Sequence, residues 1–341
     1  MATQQDEGGF PLSISHNLRQ FRLLELPPDL LELIDSPHPP SLSIKAQAPS
    51  AAAATPTAKP AYAVLCTPTR TYQLRQVQTS NSVYITQPDP KRSSQAGISA
   101  IASCSATLEP HPVISSAVDF LKDVLPVYDI IDGDVDAAGN GKNRQRIFVD
   151  IPLSDGECQT AWTELIAFEF AGSSYRPSAN TLFQVWKAVH SAVQVEGIKL
   201  DSQFLTDEIL TSIESEGFPS SLVSALFQRL GDEKDSKGPW SCLNRQRTVQ
   251  FVGQTLLEQK TGDHYLVAQF LDLWRDSLPE AWREEAELET IKGSFHFPSS
   301  TTIAFGGDAA VASAASEKDT PKAGSSSRKW HEKLGRARQK K

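Results

Sequence analysis

The chain of 341 residues is poor in the residues and motifs that build metal centres, disulfide frameworks and membrane spans. Its four cysteines, Cys66, Cys104, Cys158 and Cys242, lie far apart without CxxC spacing, which argues against a zinc site. No apolar run approaches the ~18 residues of a membrane helix, so we expect no membrane association. The N-terminal sequence MATQQDEGGF lacks the basic and apolar regions of a secretory signal. We therefore expect a reducing compartment and free thiols.

The sequence also lacks the motifs of catalysis and nucleotide binding. It contains no GxGxxG, no GxSxG and no HExxH. The nearest approach to a calcium loop is DGDVD at 132–136, but Ala137 stands where the loop needs glycine, and Asn143 where it needs a bidentate glutamate. We therefore predict a protein that is not an enzyme and that binds no cofactor and no metal.

The charge is divided between an acidic body and a basic end. The formal net charge is -8, yet residues 328–341, RKWHEKLGRARQKK, hold seven bases and one acid. Such a segment is typical of a nuclear import signal or of contact with a nucleic-acid backbone, while a segment that only aids solubility is the alternative. The candidate residues for DNA binding or nuclear import are Arg328, Lys329, Lys333, Arg336, Arg338, Lys340 and Lys341.

The first third of the chain has the pattern of short β-strands. Residues 46–61, rich in alanine and proline, predict a disordered insertion between strands. Ser80 and Asn81 suit a hairpin turn. A small barrel or sandwich fits this pattern, and a half-barrel must borrow strands from a partner. The strand candidates are 41–47, 62–66, 71–78, 83–86 and 98–107.

From about residue 112 the apolar spacing becomes helical. Three helices followed by a two-strand ribbon fit residues 218–305, which is the element order of a winged helix. We therefore predict an α+β, multidomain fold: a strand-rich domain that is a small barrel, a sandwich or a half-barrel, about two winged-helix domains and a disordered basic tail. The predicted domains are this strand-rich domain at 1–110, a first winged-helix-like domain at 111–216, a second winged-helix domain at 217–305, and a linker with the tail at 306–341.

Two segments carry a more specific signal. Residues 21–34 read FRLLELPPDLLELI, and residues 63–85 read AVLCTPTRTYQLRQVQTSNSVYI. Together they resemble the DCC family of sister chromatid cohesion proteins, and residues 270–279, FLDLWRDSLP, agree more loosely.

The resemblance implies a subunit of the alternative replication factor C, the clamp loader of cohesion and checkpoint signalling. In that family the half-barrel folds together with the C-terminal tail of the large clamp-loader subunit and a small third subunit. The winged helices bind DNA without sequence preference and dock polymerase epsilon, and the complex acts on PCNA in the nucleus. The family can carry three winged helices, whereas we count room for two here, so the basic tail is expected to make up the DNA contact.

The core of the resemblance gives the candidate partner-binding residues, which are Thr71, Leu74, Arg75, Gln76, Val77, Gln78, Thr79, Ser80 and Asn81. The polar members either face a partner or satisfy turns, while Leu74 and Val77 fill the barrel. The alternative function is a free-standing winged-helix DNA-binding regulator. The acidic body and the few basic residues on the candidate recognition helices argue against it.

Overall fold

The chain divides into two compact units of mixed α and β structure. The first unit contains the residues up to Ser178 together with Pro219–Arg229, and the second contains Ala179–Phe218 and the residues from Leu230 onward. None of the helices described is long and apolar enough to cross a bilayer. The computed structural model describes residues 12–46, 62–88, 97–113, 116–130, 141–232 and 238–306.

The N-terminal region forms the predicted curled half-barrel sheet. Its strands are β1 (Leu12–Ile14), β2 (Leu23–Leu24), β3 (Ser43–Ala46), β4 (Ala63–Cys66), β5 (Thr71–Pro88) and β6 (Ile98–Pro112). The order is β1-β6-β5-β4-β3, and β2 also pairs with β6. The strands from β3 to β6 pair in antiparallel fashion, whereas β1 and β2 run parallel to β6. Helix α1 (Pro28–Ile34) lies between β2 and β3 in the chain.

The hairpin turn predicted at Ser80 and Asn81 is wrong. Strand β5 continues through this point, because β6 is long enough to pair with the residues on both sides of it. Gln78 pairs with Ala106 and Val83 with Cys104, so residues 79–82 form a bulge within the ladder. Serine and asparagine favour irregular backbone in general, and their presence alone does not separate a bulge from a turn.

The remaining chain repeats one order of elements, helix–strand–helix–helix–strand–strand. The first repeat contains α2 (Ala117–Val124), β7 (Val127–Tyr128), α3 (Arg144–Asp150), α4 (Asp155–Glu164), β8 (Phe168–Phe170) and β9 (Ser173–Pro177). The second repeat contains α5 (Ala179–Glu196), β10 (Phe204–Leu205), α6 (Thr206–Ser215), α7 (Ser220–Leu230) and β11 (Trp240–Ser241), and a bridge between Gly231 and Leu243 stands in for its other strand.

The third repeat contains α8 (Arg245–Glu258), β12 (Tyr265–Leu266), α9 (Val267–Asp276), two short 3-10 helices (Glu280–Glu285 and Leu288–Ile291), β13 (Phe295–Ser299) and β14 (Thr302–Phe305). Its sheet order is β12-β14-β13, and that of the first repeat is β7-β9-β8. The two sheets differ in strand direction: β7 runs parallel to β9, whereas β12 runs antiparallel to β14. The repeats meet near residues 178 and 244, whereas the prediction divides the same stretch at residue 216.

The core of the second unit contains three buried tryptophans. They are Trp186, Trp274 and Trp282. Each buried indole N–H has an acceptor, at Ser277 O (2.8 Å), Val249 O (3.0 Å) and an Asp201 carboxylate oxygen (3.3 Å) respectively, so burial leaves none of these donors unpaired. Trp240, by contrast, is 43% exposed.

The four cysteines are buried free thiols, as expected from their spacing. Two other predictions fall on residues that the structure does not describe. The predicted insertion at 46–61 lies outside the described residues except for Ala46. Of the predicted linker and tail at 306–341, only Gly306 is described.

Candidate partner-binding surface

Helix α1 fixes the base of strand β5. Two prolines open the helix, which suits its first turn because proline has no N–H to satisfy there. The helix points Leu30 into a small core with Leu65 and Tyr72, where Leu30 has no exposed surface. Leu74 packs against the edge of this core. The two segments that carry the family resemblance therefore meet in three dimensions.

A polar contact reinforces the same junction. The Tyr72 hydroxyl donates a hydrogen bond to the carboxylate of Asp29, in the first turn of α1. This bond lowers the pKa of Asp29. Burial, and then the bond to Asp29, raise the pKa of Tyr72. The guanidinium of Arg70 lies 3.8 Å from the same carboxylate. The contact holds the helix on the strand, and no sequence motif points to it.

The candidate residues of β5 divide by the environment of their side chains. Thr71 is 3% exposed, and Leu74 and Val77 are half-buried, which fits the structural role considered for the two apolar residues. Successive side chains of a strand point to opposite faces, so these positions do not form a single stripe. The exposed members are Arg75, Gln76, Gln78, Ser80 and Asn81, and nothing is described of the Thr79 side chain. Whether the exposed members bind a partner stays a prediction.

The sheet exposes many large apolar side chains. Ile14 on β1 is 65% exposed, Ile44 on β3 is 69% exposed, and Val83 and Tyr84 on β5 are about half exposed. Scattered exposed apolar residues are normal, whereas such a concentration in one small sheet is typical of interaction surfaces in general. The others in this region are Leu12, Leu18, Phe21, Leu24, Leu31, Ile34 and Ile98.

Strand β5 also has an open edge. Strand β4 pairs with β5 only through Thr71, Tyr72 and Gln73. Beyond these residues, from 74 to 88, the described part of the chain supplies no strand on that side of β5. An edge of this length offers a row of backbone donors and acceptors on which another chain can add a strand.

The seven basic candidates from Arg328 to Lys341 lie outside the described residues. The third helical position of each described repeat carries little positive charge. Helix α4 contains three acids and no base, and residues 280–291 contain five glutamates and one arginine. Helix α7 has a single base, Arg229. These surfaces are electrostatically unfavourable for a phosphate backbone.

Comparison with known families identifies the chain. The family model of the sister chromatid cohesion protein Dcc1 matches residues 21–309, which is most of the chain. The chain belongs to the Dcc1 family. The prediction drawn from the two N-terminal segments is thus confirmed, and membership gives the chain a role in sister chromatid cohesion. A search of curated proteins found no match.

The Dcc1-family match extends from Phe21, before α1, to just past β14, so the sheet and all three repeats belong to the matched region. Among the described residues, no group of three or more His, Cys, Asp or Glu side chains could hold a metal ion. The surface features that distinguish the structure are therefore the open edge of β5 and the exposed apolar residues around it.

Proposed function

We propose that the chain is a non-catalytic subunit of an alternative replication factor C clamp loader in the nucleus. Its half-barrel assembles with the large clamp-loader subunit and the small third subunit. The open edge of β5 from residue 74 to 88 carries this proposal. A partner strand added there would satisfy the backbone groups of β5 and extend the sheet.

The exposed apolar residues support the same assignment. Covering side chains such as Ile14, Ile44 and Tyr84 removes apolar area from water, at ~25 cal/mol per Å². Backbone pairing on an edge strand gives little selectivity by itself, and the side chains that flank the edge would supply it. In this proposal Arg75, Gln76 and Gln78 of β5, which are exposed, make the polar contacts of the interface.

We further propose that the repeats are three winged helices, one more than the sequence suggested. The sheet orders β7-β9-β8 and β12-β14-β13 both place the last strand in the middle, next to the strand that follows the first helix. A winged helix docks proteins as well as DNA. In this proposal the repeats dock the complex to polymerase epsilon, and the complex then acts on PCNA, which the chain contacts only indirectly.

DNA contact belongs to the basic tail in this proposal. Acids dominate two of the three candidate recognition positions, whereas residues 328–341 carry seven bases. Contacts between these bases and phosphates would be independent of sequence and sensitive to salt. Removing residues 328–341 should lower DNA affinity and flatten its salt dependence. An unchanged affinity and slope would overturn the assignment of DNA contact to the tail.

The assembly can be tested in replicating cells with tagged full-length protein. Ile14→Asp combined with Tyr84→Asp places two charges on the exposed apolar surface of the sheet. Val195→Asp is the matched control, because Val195 is 85% exposed on α5 in the second unit. Mass spectrometry should find the clamp-loader subunits with the wild type and the control, and about tenfold less of them with the double variant.

Equal recovery of these subunits by all three proteins would overturn the assignment of the sheet. If the wild type recovered chromatin or transcription factors without any clamp-loader subunit, the proposed complex would be wrong. The free-standing DNA-binding regulator would then be the better account.

A further inference from the structure

A buried lysine joins the half-barrel to the first repeat. Lys45 lies on β3, and its side chain is only 14% exposed. Its ammonium group donates to Phe148 O (2.8 Å), near the end of α3, and to Leu153 O (2.7 Å), in the turn before α4. It also donates to an Asp155 carboxylate oxygen at 3.0 Å. The three donors of one sheet side chain are thus directed to the turn between α3 and α4.

Strand β5 holds the same turn through Thr71. The Ser154 backbone N–H donates to the Thr71 hydroxyl at 2.7 Å, and that hydroxyl donates to a Glu157 carboxylate oxygen at 2.5 Å. Ser154 and Glu157 also form the capping box of α4. The cap that starts the helix and the contact with the sheet are therefore one hydrogen-bond network.

A third contact brings the two backbones close together at one point. The Gly156 N–H donates to Pro68 O, in the turn between β4 and β5, at 2.8 Å. A Cβ atom at Gly156 would lie 2.7 Å from that carbonyl oxygen, so only glycine allows this approach. Cys66 on β4 and Cys158 on α4 lie in the same region and are 2% and 0% exposed. We call this set of contacts, between residues 45 and 66–71 of the sheet and residues 148–158, the seam.

We propose that the seam makes the half-barrel and the first repeat one cooperative body, so that a partner bound to the sheet also fixes the α3–α4 turn and stabilises α4. Separating the two sides would leave the Lys45 ammonium and two backbone carbonyls without their partners. The start of α4, which in a helix-turn-helix contacts base edges, is occupied by the chain's own sheet. The effect of a bound partner rests on the proposed function, whereas the coupling within the free chain does not.

The two cysteines of the seam provide the measurement. Burial in the core of the first repeat, beside the seam, raises the pKa of Cys158 to about 12, so labelling by a thiol reagent requires the structure around Cys158 to open. In the full chain, Lys45→Met should speed labelling of Cys158 and Cys66 about tenfold or more, since hydrogen bonds to a charged group are lost. Labelling of Cys242, which lies in the second unit, should not change. Peptide mass spectrometry resolves the four cysteines without further mutation.

Lys292→Met is the matched control, because the Lys292 side chain is 75% exposed and pairs with exposed Glu289. Unchanged labelling of Cys158 in Lys45→Met would overturn the proposal, and so would equal acceleration at Cys158 and Cys242, which indicates global unfolding. If Lys45→Met does not fold, Thr71→Val tests the same seam, because it removes the hydroxyl and keeps the shape of the side chain. The same two outcomes apply to it.

A second arm adds the proposed partners, the large-subunit tail and the small third subunit, by co-expression. Their binding should slow labelling of Cys158 in the wild type by about tenfold, and by much less in Lys45→Met. Bound partners that leave labelling of Cys158 unchanged in the wild type would overturn the transmission from sheet to helix. If the partners do not bind at all, the proposed function fails, and the first arm still decides whether the seam couples the two parts.

Discussion

The N-terminal sheet and the third repeat place their apolar side chains differently. The third repeat has a core of fully buried large side chains, among them Phe270, Trp274, Leu278 and Ile291, while Leu266, Leu273 and Phe297 are exposed. The sheet has a small core around Leu30, Leu65 and Tyr72, while other apolar residues on β1, β3 and β5 remain exposed. A helical repeat can close on itself, whereas an open sheet keeps an edge and uncovered side chains until another chain covers them.

This difference between the sheet and the third repeat predicts which part of the chain depends on assembly. Within the third repeat, Trp274 is buried and its indole N–H is satisfied by Val249 O, so the repeat requires nothing from outside for this residue. On the sheet, the edge of β5 beyond residue 73 has no strand beside it among the described residues. We therefore expect mutations in the repeats to change the stability of the free chain, and mutations on the sheet surface to change assembly.

The largest effect is expected in the core of the third repeat. Trp274→Ala should lower the free energy of unfolding by ~3–5 kcal/mol, because it removes a fully buried side chain and leaves a cavity. Trp240→Ala, at a residue that is 43% exposed, is the control and should cost less than ~1 kcal/mol. Urea denaturation followed by circular dichroism measures both. Similar losses of unfolding free energy in the two variants would contradict the interpretation that the third repeat has its own stabilising core.

Neighbouring leucines of α1 sharpen the comparison within the sheet. Leu30 has no exposed surface, whereas Leu31 is 53% exposed. Leu30→Ala should therefore cost ~2–5 kcal/mol. Leu31→Ala should leave the free energy of unfolding within ~0.5 kcal/mol of the wild type and should weaken recovery of the proposed partners. Urea denaturation measures the stability of both variants, and a pull-down measures their recovery of the proposed partners. A large loss of stability in Leu31→Ala would show that the exposed surface is not reserved for a partner.

A smaller effect is expected where α8 approaches α9. A Cβ atom at Gly253 would lie 2.6 Å from the Trp274 ring, so Gly253→Ala should cost ~1–3 kcal/mol although alanine favours helices. In a Trp274→Ala background the same substitution should become neutral or stabilising, because the ring is gone. A double-mutant cycle by urea denaturation measures this coupling. Additive losses would mean that the close approach has no energetic consequence.

The smallest effect concerns pH. Burial, and then the charge of Arg283, lower the pKa of His190 below 6.5. The folded state therefore disfavours the protonated ring, and the unfolded state takes up the proton more readily. Stability should fall as the pH drops through about 6.5. Comparing urea denaturation at about pH 7.5 and about pH 5.5, His190→Gln should lose less stability on acidification than the wild type. An equal loss would assign the acid sensitivity to other groups.

The N-terminal sheet and the third repeat also differ in how much of their structure could be predicted from the sequence. Residues 21–34 and 63–85 were enough to identify the family, alternating apolar residues indicated a small barrel or sandwich, and the resemblance specified a half-barrel. The bulge at 79–82 was missed because turn-favouring residues do not show how the residues on either side of them pair. Residues 71–78 and 83–88 could pair with each other as a hairpin, or both could pair with another strand, as they do with β6. The three helices expected before the ribbon at 218–305 are α7, α8 and α9, and the prediction grouped α7 with the third repeat. The last helical position of that repeat holds two short 3-10 segments, which apolar spacing did not indicate.

The sequence by itself determined the family, the strand-rich start, the helical remainder and the charged end, because composition and spacing record these properties locally. Only the tertiary structure decided that Lys45 donates hydrogen bonds to Phe148 O and Leu153 O, at either end of the turn between α3 and α4. These acceptors are more than 100 residues away in the chain, and a single lysine in a sequence does not indicate which groups it will bind. The open edge of β5 is likewise a property of strand pairing. Pairing depends on which strands meet in space, and a periodic pattern specifies only which face of a strand is apolar.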